Sequence, residues 1–248
     1  MDRFFVEPGT LDGESAELDR HLSHRLRHVL RLRRGDRVVL VDGRGGEYEV
    51  ALEDVSSPTV RIRILSRYDR APEPRARVVL YQSIIKGDRF DWVLEKGTEI
   101  GVAKFVPLVS DRGVVRPRSG RVERTERWRR IVTEAAEQSG RSHLPEVAAP
   151  LSLGDALESA EGLRLLPWES ERQTTLRQAL KQAVGKSKTA PLVSIFIGPE
   201  GGFTREEVDR AVDLGVRTVS LGPRILRSET AGIVAAMAVL YELGELGA

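Results

Sequence analysis

The chain has 248 residues, 40% of them apolar, which is enough to bury one large core or two modest ones. It contains no cysteine, which excludes disulfides and thiolate metal sites, and its four histidines, His21, His24, His28 and His143, lack the spacing of a metal-ligand set. No apolar run is long enough to span a bilayer and none behind the amino terminus resembles a signal peptide, so a soluble cytoplasmic protein with no metal and no membrane partner is expected.

The first predicted element is a short basic helix. In HLSHRLRHVL the apolar residues Leu22, Leu26, Val29 and Leu30 fall at i, i+4, i+7 and i+8, which buries one face and turns Arg25, Arg27, His28 and Arg31 away from it. Between Arg20 and Arg37 stand seven arginines against a single acid, Asp36, although the whole chain carries a net charge of only +2. Such a local excess reads as a polyanion surface or as a solvated helix face. Three strand-like runs follow, RVVLVDG, GEYEVALEDV and TVRIRILSRY, with turns at Gly43 to Gly46 and Ser56 to Pro58; their close spacing suggests a small antiparallel barrel. DRAPEPRA, Asp69 to Ala76, has two prolines and no apolar pattern, so it is the expected linker between domains at 1–72 and 73–248.

Beyond the linker, strand and helix patterns alternate, as expected of a largely parallel sheet with helices on both faces. The strand-like runs are RVVLYQSII, FVPLVS, LRLLPWE, LVSIFIGP and TVSLG. The residues from Arg112 to Arg130 form a second basic block, with eight arginines against Glu123 and Glu126. Trp92 and Trp128, at helical spacing with apolar neighbours, read as core. The last helix, SETAGIVAAMAVLYELG, is apolar around nearly all its faces, so it is either deeply buried or at a subunit contact.

Three loops leave the carboxyl ends of the last three predicted strands: LLPWE, IGPEGG and LGPRILRSETAG. Ligands of open α/β sheets bind there. GPEGG matches neither the Walker spacing nor the dinucleotide fingerprint, and Glu200 would repel phosphate; a tight turn into the helix capped by Thr204 and Glu207 accounts for the same glycines.

The combination of GPEGGFTREEV, LGPRILRSETA, QSIIKGDRFDWVLEKGTEIGV and RWRRIVTEAAEQSGR with PEV after it resembles the bacterial 16S ribosomal RNA uridine N3-methyltransferase family, a branch of the SPOUT methyltransferases, over essentially the whole chain. The resemblance implies a trefoil-knotted α/β domain acting as a homodimer, preceded by a PUA-like β-barrel that binds RNA. The implied cofactor is S-adenosylmethionine, and the implied partner is 16S rRNA within the small ribosomal subunit.

By position in the family's motifs, Leu166, Pro167, Ile197, Gly198, Pro199, Glu200, Gly201, Leu221, Gly222, Ile225, Leu226 and Arg227 form the cofactor site, with Ile225 and Leu226 against adenine. Glu200 bonds ribose or attracts the cationic cofactor, or else caps the following helix. Arg224, Arg227 and Glu229 are the catalytic candidates: an arginine stabilises an anionic pyrimidine and a carboxylate accepts a proton, while an Arg227 to Glu229 ion pair that only fixes the loop or the dimer contact is equally open. Ser228 is expected as the N-cap of the last helix. Arg3, Arg25, Arg27, His28 and Arg31, with Lys86 and Arg89, are the RNA-binding candidates, and Trp168 is a candidate for the substrate pocket. A SPOUT enzyme acting on another RNA, such as tRNA, and a non-catalytic RNA-binding ribosome assembly factor are the alternative functions.

Overall fold

The computed structural model describes residues 1–69, 73–113, 121–184 and 191–246. Arg116 and Arg118 of the second basic block and residues 70–72 of the expected linker lie outside them. The chain packs as two compact units, Met1–Glu73 with Ala136–Leu144, and Pro74–Ala135 with Pro145–Ala248. The expected division is linear, whereas the first unit also takes up a segment from the middle of the chain.

In the first unit the elements are β1 (Arg3–Phe5), β2 (Ser15–Glu17), α1 (Arg20–His24), β3 (Arg37–Val41), β4 (Gly46–Asp54) and β5 (Arg61–Asp69). They form a five-stranded sheet in the order β1-β3-β4-β5-β2. The sheet is not wholly antiparallel as expected, because β1 pairs with β3 in parallel. Both outer strands are only three residues long, too short for their alternation to stand out in the sequence. Phe4, Leu18, Leu26, Leu40, Leu52 and Ile62 fill the core.

Asp19 caps α1 by accepting from Leu22 N–H at 2.9 Å, and the helix continues as a π turn over Arg25–Val29. The wider turn shifts the apolar stripe: Leu22 and Leu26 are buried, but Val29 is 65% exposed, against expectation. The segment closes when Leu32 N–H donates to Leu26 C=O at 2.9 Å around Arg31, whose φ is 56°. That is a left-handed helix terminus, a position that favours glycine.

The second unit contains β6 (Arg77–Ser83), α2 (Arg89–Ile100), β7 (Lys104–Val109), α3 (Arg121–Ser139), β8 (Glu146–Val147), β9 (Leu151–Ser152), α4 (Leu153–Ser159), β10 (Leu163–Pro167), α5 (Leu176–Val184), β11 (Leu192–Ile197), α6 (Arg205–Asp213), β12 (Arg217–Val219) and α7 (Ser228–Glu242), the end of α3 belonging to the first unit. Every pairing in its seven-stranded sheet is parallel, in the order β12-β10-β11-β6-β7-β8 with β9 also on β7. Alternation along the strands feeds two cores. Leu80, Leu165 and Ile195 face α2, α3, α5 and α7. Val79, Tyr81, Leu166 and Phe196 face α4 and α6.

Trp128 is core as expected, but Trp92 is 41% exposed, because α2 turns it away from the sheet. Helix α7 has two environments despite its uniform composition. Gly232, Ala235, Ala236, Val239 and Leu240 are buried, while Val234, Met237 and Tyr241, at i, i+3 and i+7, are 38%, 51% and 67% exposed.

Candidate active site

The loops after β10, β11 and β12 surround a cavity of about 490 Å³. Each is fixed by its own hydrogen bonds. After β11, Gly202 N–H donates to Pro199 C=O at 2.9 Å, and Gly202 itself has φ 66°. Thr204 and Glu207 then make the expected capping box of α6. Arg112 Nη1 donates to Gly201 C=O at 2.9 Å, so the loop is also held from outside.

In the loop after β10, Glu171 accepts from Gln173 N–H at 2.6 Å, Thr174 N–H at 3.0 Å and the Thr218 hydroxyl at 2.6 Å. The Thr218 hydroxyl, followed by the main-chain donors, holds the Glu171 carboxyl below its usual range despite some burial. The loop after β12 joins this one where Ser220 N–H donates to Thr174 C=O at 2.8 Å.

The charged wall of the cavity is assembled from three distant segments. Glu200 Oε1 accepts from Arg89 Nη2 at 2.7 Å and from Lys86 N–H at 3.2 Å. Arg89 Nη1 lies 3.9 Å from Glu229 Oε2. Glu229 is 8% exposed, and its Oε2 has no hydrogen-bond partner among the described residues. Beneath it, buried Gln82 Nε2 donates to Ser228 Oγ at 2.9 Å, and Ser228 Oγ donates to Gly198 C=O. This relay fixes the carbonyl of the glycine loop against the start of α7.

Eleven of the twelve expected cofactor residues line the cavity; Leu166 does not. Strand alternation turns Leu166, 0% exposed, into the core beside α4 and α6. Ile225 is at the cavity but 87% exposed, so the described residues leave its side chain largely uncovered. All three catalytic candidates are also in the lining, Arg224 and Arg227 exposed and Glu229 buried. Two expectations for this segment need correcting. The N-cap of α7 is Arg227 rather than Ser228, whose hydroxyl is engaged with Gly198 and Gln82. The cation nearest Glu229 is Arg89, not Arg227. Glu200 does not cap α6, since Thr204 does and Glu200 is held by Arg89.

Arg89, expected among the RNA contacts, lines the cavity, as do Trp168 and Arg172. Lys86 stands beside it and is exposed. The sequence contains no signal for Gln82 or for Arg89 in this place, because both reach the site through the sheet order.

In the first unit, Arg3 forms a bidentate pair with Glu47 at 2.7 and 3.1 Å. Arg25 pairs with Glu137 at 2.8 Å and lies over the Phe4 ring at 4.8 Å. Both therefore serve the packing of the unit. Arg27, half-buried, and His28 and Arg31, both exposed, carry no ion pair among the described residues, so the two guanidinium charges and the His28 ring are available to a ligand. Among the described residues no helix is long and apolar enough to cross a membrane, and no group of His, Asp and Glu is arranged to hold a metal ion.

Comparison with known proteins gives consistent likenesses. A family described as RNA methyltransferase domain matches residues 71–240, and one described as RNA methyltransferase PUA domain matches residues 18–65. Ribosomal RNA small subunit methyltransferase E of a Synechocystis strain is 37% identical over 94% of this chain and 75% of its own. The protein of that name from Bacillus subtilis is 30% identical over 98% and 97%. The crystal structure of the Neisseria gonorrhoeae protein of that name, bound to S-adenosyl methionine, superposes with a TM-score of 0.84 at 31% identity over 98% of each chain. A Legionella pneumophila methyltransferase in complex with the same cofactor gives 0.85 at 30% identity, covering 97% of each. The expected fold class, a trefoil-knotted parallel-sheet domain behind a PUA-like domain, is borne out.

Proposed function

Because this chain belongs to the ribosomal RNA small subunit methyltransferase E family, we propose that it methylates N3 of a uridine in 16S rRNA of the small ribosomal subunit, using S-adenosylmethionine. The observation that carries this reading is the cavity itself. Its floor is glycine-loop main chain, it contains no lysine, and its wall holds a buried carboxylate with an unpartnered oxygen. Main chain without Cβ atoms lets a nucleoside lie close, and the carboxylates Glu200 and Glu229 suit its cationic part, while the exposed Arg224 and Arg227 suit RNA phosphate.

When bound, S-adenosylmethionine supplies a methyl group already activated on a positively charged sulfur. The chain's own residues do the rest. Pro167, Ile197 to Gly201, and Leu221 to Arg227 are the cofactor-holding residues, and the Gln82–Ser228–Gly198 relay keeps the glycine loop from shifting. Arg224 and Arg227, exposed at the cavity, offer charge to the RNA backbone or to a pyrimidine that becomes anionic. Alignment of N3 against the methyl group supplies much of the rate.

In the first unit, Arg27, His28 and Arg31 are the groups we assign to RNA. For the homodimer, the exposed stripe of Val234, Met237 and Tyr241 on α7 is the contact surface; a lone chain would leave it in water. Ala235 and Val239 are 0% exposed within the chain, so they serve the fold and not a contact between subunits. The cytoplasm, where ribosomes assemble, is the proposed compartment.

Mass spectrometry of nucleosides from small subunits incubated with the protein and cofactor tests the proposal. The expected product is N3-methyluridine in 16S rRNA. Methylation confined to tRNA would move the substrate, and calorimetry showing no binding of S-adenosylmethionine would favour an assembly factor.

A further inference from the structure

We infer that Glu229 is the group that takes the N3 proton and that Arg89 is the positioning residue that acts through it. This rests on the methyltransferase reading above. Three charged side chains around the loop before α7 are candidates, and two are excluded by chemistry: a guanidinium has no proton-accepting form near neutral pH, so Arg224 and Arg227 cannot serve as bases. Glu200 and Glu169 are also in the lining, but Glu200 Oε1 already accepts from Arg89 and from Lys86 N–H, and Glu169 is exposed to solvent.

Glu229 differs from all of these. It is 8% exposed, it lines the cavity, and its Oε2 has no donor among the described residues. A buried carboxylate oxygen left without a donor is costly and needs an explanation. A substrate N–H is such a donor. Glu229 also stands in the first turn of α7, where the helix N-terminus favours a negative charge.

Arg89 completes the arrangement through what it does not do. Its Nη2 is taken by Glu200 at 2.7 Å and its Nε by Lys86 C=O at 3.2 Å, which leaves Nη1 3.9 Å from Glu229 Oε2. At that distance it offers charge without occupying the lone pair. The step balances: the N3–H proton passes to Glu229 Oε2, the N3–methyl bond forms, and the electron pair of the broken carbon–sulfur bond stays on sulfur. The carboxylic acid then releases its proton to solvent when the product leaves.

The test compares the full-length protein with E229Q, E229D, R89K and the E229Q/R89K double variant. E229Q should lose about 100-fold or more in kcat, in the range of general-base catalysis, and E229D should recover part of it. R89K should lower kcat in the wild-type background but change it less than about twofold in E229Q, because it acts through the group already removed. A binding readout stands apart from turnover. Sinefungin, which carries an amine in place of the methylated sulfur, should bind wild type more tightly than neutral S-adenosylhomocysteine, and E229Q should lose that preference while keeping its affinity for the neutral compound. E229Q with kcat within threefold of an active wild type, or with the preference intact, would overturn the inference alone. A wild-type protein that transfers no methyl group to any RNA would overturn the methyltransferase reading and this inference with it.

Discussion

Gly201→Val separates the space that the glycine loop keeps for a nucleoside from the folding of the loop itself. Among the described residues, a Cβ built on Gly201 meets only Arg112 Cβ and Cδ, both at 3.5 Å, an ordinary contact. Its neighbours are less tolerant. At Gly198 a Cβ would lie 3.0 Å from Phe203 N, and at Gly202 the φ of 66° costs a residue with a side chain about 1–2 kcal/mol. The stability of Gly201→Val should therefore stay within about 0.5 kcal/mol of wild type, while Gly202→Ala should lose about 1 kcal/mol.

The cofactor has less freedom than Arg112. If a nucleoside lies against the loop in the cavity of about 490 Å³, the added isopropyl group forces an overlap or a shift costing roughly 1–3 kcal/mol. That corresponds to a 5- to 150-fold rise in Kd, approximately. Titration calorimetry with S-adenosylmethionine, run beside thermal unfolding of the same samples, reads both quantities. A folded Gly201→Val protein with unchanged Kd would refute the placement of the nucleoside on this loop.

The remaining predictions use other parts of the molecule. Arg31→Gly relieves the left-handed backbone at φ 56° and removes an exposed charge, so chemical unfolding should show a gain of about 1 kcal/mol while RNA affinity falls and the slope of log K against log salt drops by about 0.9. If stability rises and the salt slope does not move, Arg31 meets no phosphate. Met237→Glu with Tyr241→Glu charges the exposed stripe of α7 without touching its buried side, so sedimentation should report folded monomers; dimers of unchanged affinity would place the contact elsewhere. Glu171, whose carboxyl is held low first by the Thr218 hydroxyl, stabilises its loop above the unfolded carboxylate range and loses that contribution as pH falls through its lowered value. The Tm gap between wild type and Glu171→Gln should be steady from about pH 7 to 5 and close below about pH 4, and a gap that persists in acid would assign it to packing.

Much of this protein is legible in one dimension because its signals are local. The near-continuous apolar runs of β6, β7, β10 and β11 and the Thr204–Glu207 cap of α6 depend on residues within a few positions of one another, so they can be read directly along the chain. The GPEGG and LGPRILRSETA loops are contiguous as well, and they place most of the cavity lining. Local periodicity failed where the backbone departed from the assumed period: the π turn at Arg25–Val29 exposes Val29, and three-residue strands hide β1 and β2.

The proposed functional centre is different in kind. Arg89 follows β6, Glu200 follows β11 and Glu229 opens α7, and the three meet only because the sheet sets β6 beside β11 and brings the start of α7 to Gln82. Composition showed that α7 was apolar, but packing decided which side of it remains in water. The residue types and loop chemistry were thus written in sequence, whereas the pairing of charges depends on distances between segments more than a hundred residues apart, which only the tertiary structure sets.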